Sequence, residues 1–275
     1  MPELPEVETM VRDLSSRIVG RSIVDVDLPF PGEIRYPDPL EFVDRVAGRT
    51  ITGITRRAKY ALFALDSGDL LIVHRGMTGS LLLRDVGDPP DSHVRVAFRL
   101  DDGRELRFND SRKFGRLYLI DGSGTERDFP WTRMGPEPLL DDFTAAVLEQ
   151  RLTGRTAPIK PLLLGQNVVA GLGNIYADEA LHLAQIHPKR HTNTLARDEI
   201  VKLHAAIVAV LREAVEGRGT TFNSYMDFEG RAGRFQDELR VFRRNGSPCP
   251  VCGTDIIKLV VGGRGTHICP DCQRI

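Results

Sequence analysis

The feature that most constrains this chain lies at its end. All four cysteines fall in two Cys-x-x-Cys pairs, Cys249 with Cys252 and Cys269 with Cys272, separated by 16 residues. Four thiolates at that spacing fill a tetrahedral shell. This is the pattern of a structural zinc ribbon, with no open position for a catalytic water. A redox pair and two disulfides are the weaker readings, since disulfides do not persist in a reducing cytoplasm. Between the pairs, 256–261 and 266–268 can form a hairpin with Arg264 at its turn. His267 stands two residues before Cys269, outside a shell that is already full.

The other end carries a different kind of signal. Met1-Pro2-Glu3-Leu4-Pro5-Glu6-Val7 runs into a helix whose apolar residues Val7, Met10, Val11, Leu14 and Ile18 recur at spacings of three and four. Pro5 suits the first turn, where its missing N–H costs nothing. Glu6 and Glu8 suit the positive end of the helix dipole, and Gly20 is a stop. This reads as an ordinary amphipathic helix, with one chemical alternative. Removal of Met1 would leave Pro2 with a free secondary amine beside two carboxylates. At a pKa near 7.7–8.0, roughly a tenth of such an amine is unprotonated at pH 7, against well under ~0.1% of an ordinary lysine. It can condense with an aldehyde-level carbon to an iminium, with Glu3 moving protons.

Between the two ends the pattern changes twice. Residues 22–28 alternate, and 29–39 form a turn-rich loop. Strand-like runs follow at 50–57, 59–65, 70–74, 79–84, 93–99, 104–108 and 116–120, with Ser67-Gly68 and Asp102-Gly103 as tight connections. Short strands at this spacing predict a sandwich or barrel, with the first helix packed against it. Residues 122–138 read as a linker. Helices are then expected over 142–152, 158–166, 174–186 and 195–216. With 41% apolar and 27% charged residues, the chain suits ordinary buried cores in two or three small domains. No apolar run reaches membrane-spanning length and no signal peptide is visible, so a cytoplasmic protein is expected.

Several short strings are recognisable. MPELPEVET resembles the start of the formamidopyrimidine-DNA glycosylases, bacterial enzymes that remove 8-oxoguanine and ring-opened purines. The related endonuclease VIII enzymes usually begin PEGPE. Further matches occur in the family's order: RRAKY around Lys59, HRGMTG from His74 to Gly79, DSRKFG around Arg112 and Phe114, GPEPL from Gly135, and PIKPLLLGQNVVAGLGNIYADEALHLAQIHP over 158–188. Taken alone, Lys59 would be a solvated strand lysine, Met77 a core gap-filler, Phe114 a half-buried ring in a basic loop, and Asn174 a helix cap.

The resemblance covers essentially all 275 residues. It implies an α+β multidomain fold: an N-terminal catalytic β-sandwich with a leading helix (1–134), a helix-two-turn-helix domain with a lesion-recognition loop (135–232), and a zinc ribbon (233–275). It implies a bifunctional DNA glycosylase and AP lyase for oxidised purines, acting as a monomer on double-stranded DNA with an oxidised base or abasic site. Pro2 would be the nucleophile and Glu3 the general acid and base. Lys59 and Arg264 would complete the catalytic set. His74, Lys160, Asn174 and Arg264 would contact DNA, while Met77, Arg112 and Phe114 would fill the hole that a flipped base leaves in the stack. Cys249, Cys252, Cys269 and Cys272 would hold one zinc.

Three positions depart from the family pattern: Arg75 replaces a commoner Leu, Gly165 stands where Asp is frequent, and Arg218 where Gly is frequent. The loop 217–233, with Thr220, Thr221, Phe222 and Tyr225, corresponds to the one that closes over 8-oxoguanine.

The net charge of -1 argues mildly against a nucleic-acid partner. Its distribution softens this, because from Arg231 onward eight Lys and Arg face four Asp and Glu. Other readings are an endonuclease VIII-like enzyme for oxidised pyrimidines and a damaged-DNA-binding protein without chemistry. A zinc-ribbon transcription accessory protein would explain only the ribbon.

Overall fold

Alternating and helical periodicities divide the chain much as expected. The computed structural model describes residues 2–122, 130–220 and 233–275. By contacts these fall into two compact units, one holding residues up to 129 with 218–234, the other 130–217 with 235–275.

In the first unit, helix α1 (Leu4–Ile18) buries Val7, Met10, Val11, Leu14 and Ile18, the stripe seen in the sequence. Eight of the strands fall within a residue or so of their expected positions: β1 (Ser22–Asp27), β3 (Arg49–Arg57), β4 (Tyr60–Leu65), β5 (Asp69–His74), β6 (Ser80–Asp85), β7 (Val94–Leu100), β8 (Arg104–Asn109) and β9 (Arg116–Asp121). Two elements differ from the expected loop and its sequel. Ile34–Tyr36 forms a short strand, β2, and Pro39–Val46 forms helix α2, opened by Asp38 accepting the Leu40 N–H. Strand β2 pairs parallel with β9, about eighty residues away, so no local turn signal announces it.

The strand order is β2-β9-β5-β4-β3-β1-β7-β8-β6, and β1 joins the two halves through the pairs Ser22–Thr50 and Ile23–Arg49. Both halves contribute to one core. Phe63, Val73 and Leu119 come from one side, and Val96, Phe98 and Phe108 from the other. Leu14 of α1 and Phe42 of α2 join them. This is the expected sandwich with its leading helix.

In the second unit, α3 (Ala145–Leu152) starts from Thr144, whose hydroxyl accepts the Val147 N–H, rather than from Asp142. Helices α4 (Ile159–Leu164), α5 (Asn174–Leu183) and α6 (Arg197–Glu216) follow. The ribbon hairpin is β10 (Ile257–Val261) and β11 (Arg264–Ile268). Arg264 opens β11 opposite Val261, so the turn itself is Gly262-Gly263. Helices and ribbon, expected as separate domains, share one unit. Their connections are polar as well as apolar: Gln273 donates to the Ile186 carbonyl, and Glu179 of α5 accepts three backbone N–H groups from 240–242. Among the described residues no helix is long and apolar enough to cross a membrane.

Candidate functional site

The start of α1 is fastened by one buried carboxylate. Glu6 accepts the Glu3 N–H at 2.7 Å with one oxygen. Its other oxygen accepts the Thr220 N–H at 2.8 Å and the Thr220 hydroxyl at 3.1 Å. A carboxylate hidden from water needs such donors to offset its lost hydration. Gly219 lies against it with φ +75, and a Cβ there would stand 2.8 Å from Glu6 Oε1, so only glycine fits. Arg218, the departure from the family pattern, pairs with Asp13 of α1 at 2.6 Å. Pro2 and Glu3 are both buried at this anchored end. Met1, Thr221, Phe222 and Tyr225 lie outside the described residues.

Lys59 sits in the two-residue turn of the β3–β4 hairpin, between the paired Arg57 and Tyr60. That turn is tied to α1: Arg56 donates to Glu8 at 2.8 Å and to the Ala58 carbonyl at 3.1 Å. Burial works against the Glu8 charge, but hydrogen bonds and charge from Arg56 and Arg12 hold its carboxyl below the usual range. His74 packs its ring on Tyr60 at 4.7 Å. Burial, then the Lys59 and Arg116 charges, push His74 down to about 4, so its ring is neutral at physiological pH. Its Nδ1 accepts the Gly76 N–H, which leaves the proton on Nε2.

Two loops of the first unit meet on Asp110. One oxygen accepts from the Thr78 hydroxyl and from the Arg112 N–H at 3.2 Å; the other accepts the Gly115 N–H at 2.6 Å. Arg75, the second departure, is buried and closes its own loop by donating to the Gly79 carbonyl at 2.8 Å. On this base Met77 is 40% exposed and Phe114 44% exposed. The Arg112 guanidinium lies over the Phe114 ring at 4.9 Å, a cation–π contact. Met77, Arg112 and Phe114 are therefore brought out on loops tied to one buried carboxylate.

Beneath it lies Glu33, fully buried, with neither oxygen hydrogen-bonded in the described structure. Gly115 presses on it, since a Cβ there would stand 2.5 Å from Glu33 Oε2. Burial and then the Asp110 charge push Glu33 up to about 7, against the pull of Arg95, Arg116 and Arg35. Sequence reasoning missed Asp110 and Glu33. The Asn-Asp-Ser turn chemistry could have flagged the first; nothing local flags the second.

In the second unit, Lys160 faces inward. Lys160 has no exposed surface: its ammonium donates to Asp178 at 2.6 Å, to the Thr266 hydroxyl at 2.8 Å and to the Gly265 carbonyl at 3.3 Å. Its three donors all meet acceptors inside the protein, and through Thr266 and Gly265 it braces β11. Asn174 donates to the same Gly265 carbonyl at 2.9 Å, and Arg264 next to it is exposed. The start of α5 and the strand bearing Arg264 thus form one assembly. Asp178 and Glu179, which organise it, were also missed. Their signal was an acidic pair flanked by Tyr176, Ala177, Ala180 and Leu181, all buried. Gly165 leaves room for a Cβ, which would meet Asn167 at 3.4 Å, an ordinary contact.

The four cysteine sulfurs all lie within 4.8 Å of one another. Zinc–sulfur bonds of roughly 2.3 Å at tetrahedral angles require sulfurs roughly 3.8 Å apart. The Cys249–Cys272 separation of 3.9 Å and the Cys252–Cys269 separation of 3.4 Å match that need. Cys249 and Cys269 also accept N–H groups from Val251 and Cys272, as thiolates in such knuckles do. The residues therefore fit one structural zinc. His267 is outside the cluster: its backbone N–H donates to Asp178 and its ring packs edge-on to Phe242.

Comparison with known proteins gives one consistent result along the chain. Family models match residues 1–117 (formamidopyrimidine-DNA glycosylase N-terminal domain), 134–225 (formamidopyrimidine-DNA glycosylase H2TH domain) and 246–275 (zinc finger found in FPG and IleRS). A relative from Symbiobacterium thermophilum, named formamidopyrimidine-DNA glycosylase, is 50% identical over 275 residues, covering 100% of this chain and 90% of its own. A crystal structure of a Lactococcus lactis FPG mutant with Fapy-dG containing DNA superposes with a TM-score of 0.94 at 38% identity, covering 100% of both chains. The wild-type Lactococcus lactis protein with oxidised-pyrimidine DNA gives 0.93 at 38% identity, again with 100% of both chains covered.

Proposed function

The chain belongs to the formamidopyrimidine-DNA glycosylase family, and on that premise we propose how its own residues carry out the reaction. It is a base-excision-repair DNA glycosylase and AP lyase for oxidised purines, acts on double-stranded DNA and holds one structural zinc. The observation that supports the residue-level reading is the anchored N-terminus, where Glu6 grips Glu3 and Thr220 at once.

With Met1 removed, the Pro2 lone pair forms a bond to C1′ of the flipped nucleotide as the C1′–base bond breaks. Glu3 delivers the proton with which the base leaves. Opening of the sugar and loss of the amine proton give the iminium. Removal of a C2′ proton then expels the 3′ phosphate, and a second elimination expels the 5′ phosphate. Lys59 serves the lesion's backbone from its turn, and His74 offers a neutral Nε2–H to a phosphate. Arg264 and Asn174 hold phosphates from the second unit, giving affinity without sequence preference. Met77, Arg112 and Phe114 fill the vacated stack, with Arg112 facing the opposite base. In this scheme the functional modules are 1–134, 135–232 and 233–275. The cytoplasm is the proposed compartment, because zinc needs the four thiols reduced.

Borohydride trapping tests this reading. A covalent adduct on Pro2 with 8-oxoguanine opposite cytosine supports it. The same duplex giving no adduct, with Pro2 shown to be the free N-terminus, would overturn the nucleophile. A thymine glycol duplex belongs in the same experiment, because the Lactococcus lactis relative has been seen with oxidised-pyrimidine DNA. A dominant adduct there would move the substrate class to pyrimidines.

A further inference from the structure

Helix α5 presents Asn174, Asp178 and His182 at intervals of four, so the three share one face. The first two serve the ribbon: Asn174 bonds the Gly265 carbonyl and Asp178 accepts the His267 N–H. His182 continues the same face one turn on. It is 2% exposed, and its Nε2 lies 3.4 Å from Cys249 Sγ. Its Nδ1 is buried with no hydrogen-bond partner among the described residues.

We propose that His182 is a positioning residue for the zinc centre, donating its Nε2–H to the Cys249 thiolate and thereby slowing metal loss. The neutral ring has one N–H to place. On Nδ1 it would find no acceptor, and the bare Nε2 would point its lone pair at sulfur. On Nε2 it meets a thiolate, a strong acceptor, and only an acceptor is left unpaired. Cys249 then receives two donors, His182 and the Val251 N–H. Each draws charge from a sulfur that otherwise shares a shell of four anionic ligands. Groups just outside a metal's ligands, by orienting and tuning them, typically change metal affinity about 10–100-fold when removed. α5 thereby links the zinc at one end to the hairpin beside Arg264 at the other.

Two measurements on the full-length protein test this. In cadmium-113-substituted protein carrying nitrogen-15 histidine, the His182 ring should show the Nε2–H tautomer, with its proton coupled to cadmium. An Nδ1–H tautomer overturns the proposal without any mutation. In the zinc form, release to a chromogenic chelator should be about 10–100-fold faster for His182→Phe. His182→Gln, which keeps an N–H donor at a similar reach, should lie close to the unaltered protein. An unchanged rate in the phenylalanine variant overturns the proposal. So do equally fast losses in both variants, which would mark a packing role alone. Melting temperatures in excess zinc distinguish general unfolding from metal release.

Discussion

Asp110 in the first unit and Asp178 in the second are both fully buried acids that gather distant segments. Asp110 takes only uncharged donors: the Thr78 hydroxyl and the backbone N–H groups of Arg112 and Gly115. The Arg112 guanidinium remains outside, stacked on Phe114. Asp178 instead takes the Lys160 ammonium, with the His267 N–H on its other oxygen. One acid shapes a loop while leaving the Arg112 cation exposed; the other consumes its cation. A basic residue in the right motif is therefore not yet a phosphate contact. What decides is whether an acid from elsewhere in the fold has already claimed it.

The largest effect is expected at Asp178. Asp178→Ala leaves an ammonium buried without its counterion, a loss of about 3–5 kcal/mol. Calorimetry should show a lowered melting transition, and a change under 1 kcal/mol would mean that Lys160 finds another partner or water. Asp110→Asn should cost less, about 1.5–3 kcal/mol, since it turns an acceptor into a donor facing the Gly115 N–H. Denaturant titration measures this, and opposite-base discrimination should weaken in the same variant. If discrimination survives while stability falls, the loop does not depend on Asp110 for its function.

Glu33 adds a pH dependence to the same region. Its folded-state value near 7 lies above the ordinary carboxylate value. Between those two values the folded chain keeps a proton that the unfolded chain has released. The stability from this group is therefore full at low pH and falls as pH rises through that window. Glu33→Gln should flatten that fall and gain on the order of 1–3 kcal/mol at pH 8. Unfolding curves at pH 5 and pH 8 check it, and an identical pH slope in both proteins would refute it.

The smallest effect concerns DNA affinity. Arg264→Ala should lower the slope of log affinity against log salt by about 0.9, the loss of one phosphate contact. The double change Lys160→Met with Asp178→Leu removes a buried pair together and should leave the slope unchanged. A lowered slope in the double variant would return Lys160 to the interface.

Much of this was legible in advance, for reasons that differ by element. The eight long strands follow from alternation, and α1 from its stripe, because one face of each is buried and composition records it. Helix α2 and strand β2 were not read. The first hides behind a loop rich in proline, and the second exists because β9 offers it an edge. Among the site residues, Met77 and Phe114 are exposed with Arg112 over the Phe114 ring, whereas Lys160 is wholly internal, a difference their motifs do not carry. The Arg75 and Arg218 departures turned out to have partners: Arg75 closes onto the Gly79 carbonyl within its own motif, whereas Arg218 reaches Asp13, which lies in no motif with it.

The zinc ligands follow from the cysteine positions alone, since four thiolates at fixed spacing have one closed solution. The sandwich strands and the family to which the motifs belong are likewise written in the amino-acid order. Which charges are hidden, and what they hold, depends on how the chain folds back on itself. Lys160 meets Thr266 across 106 positions, Glu6 meets Thr220 across 214, and His182 meets Cys249 across 67. Periodicity reports only which face of an element is buried. The identity of the group on the other side of that face depends on how the whole chain closes, and that group sets the fate of a buried charge.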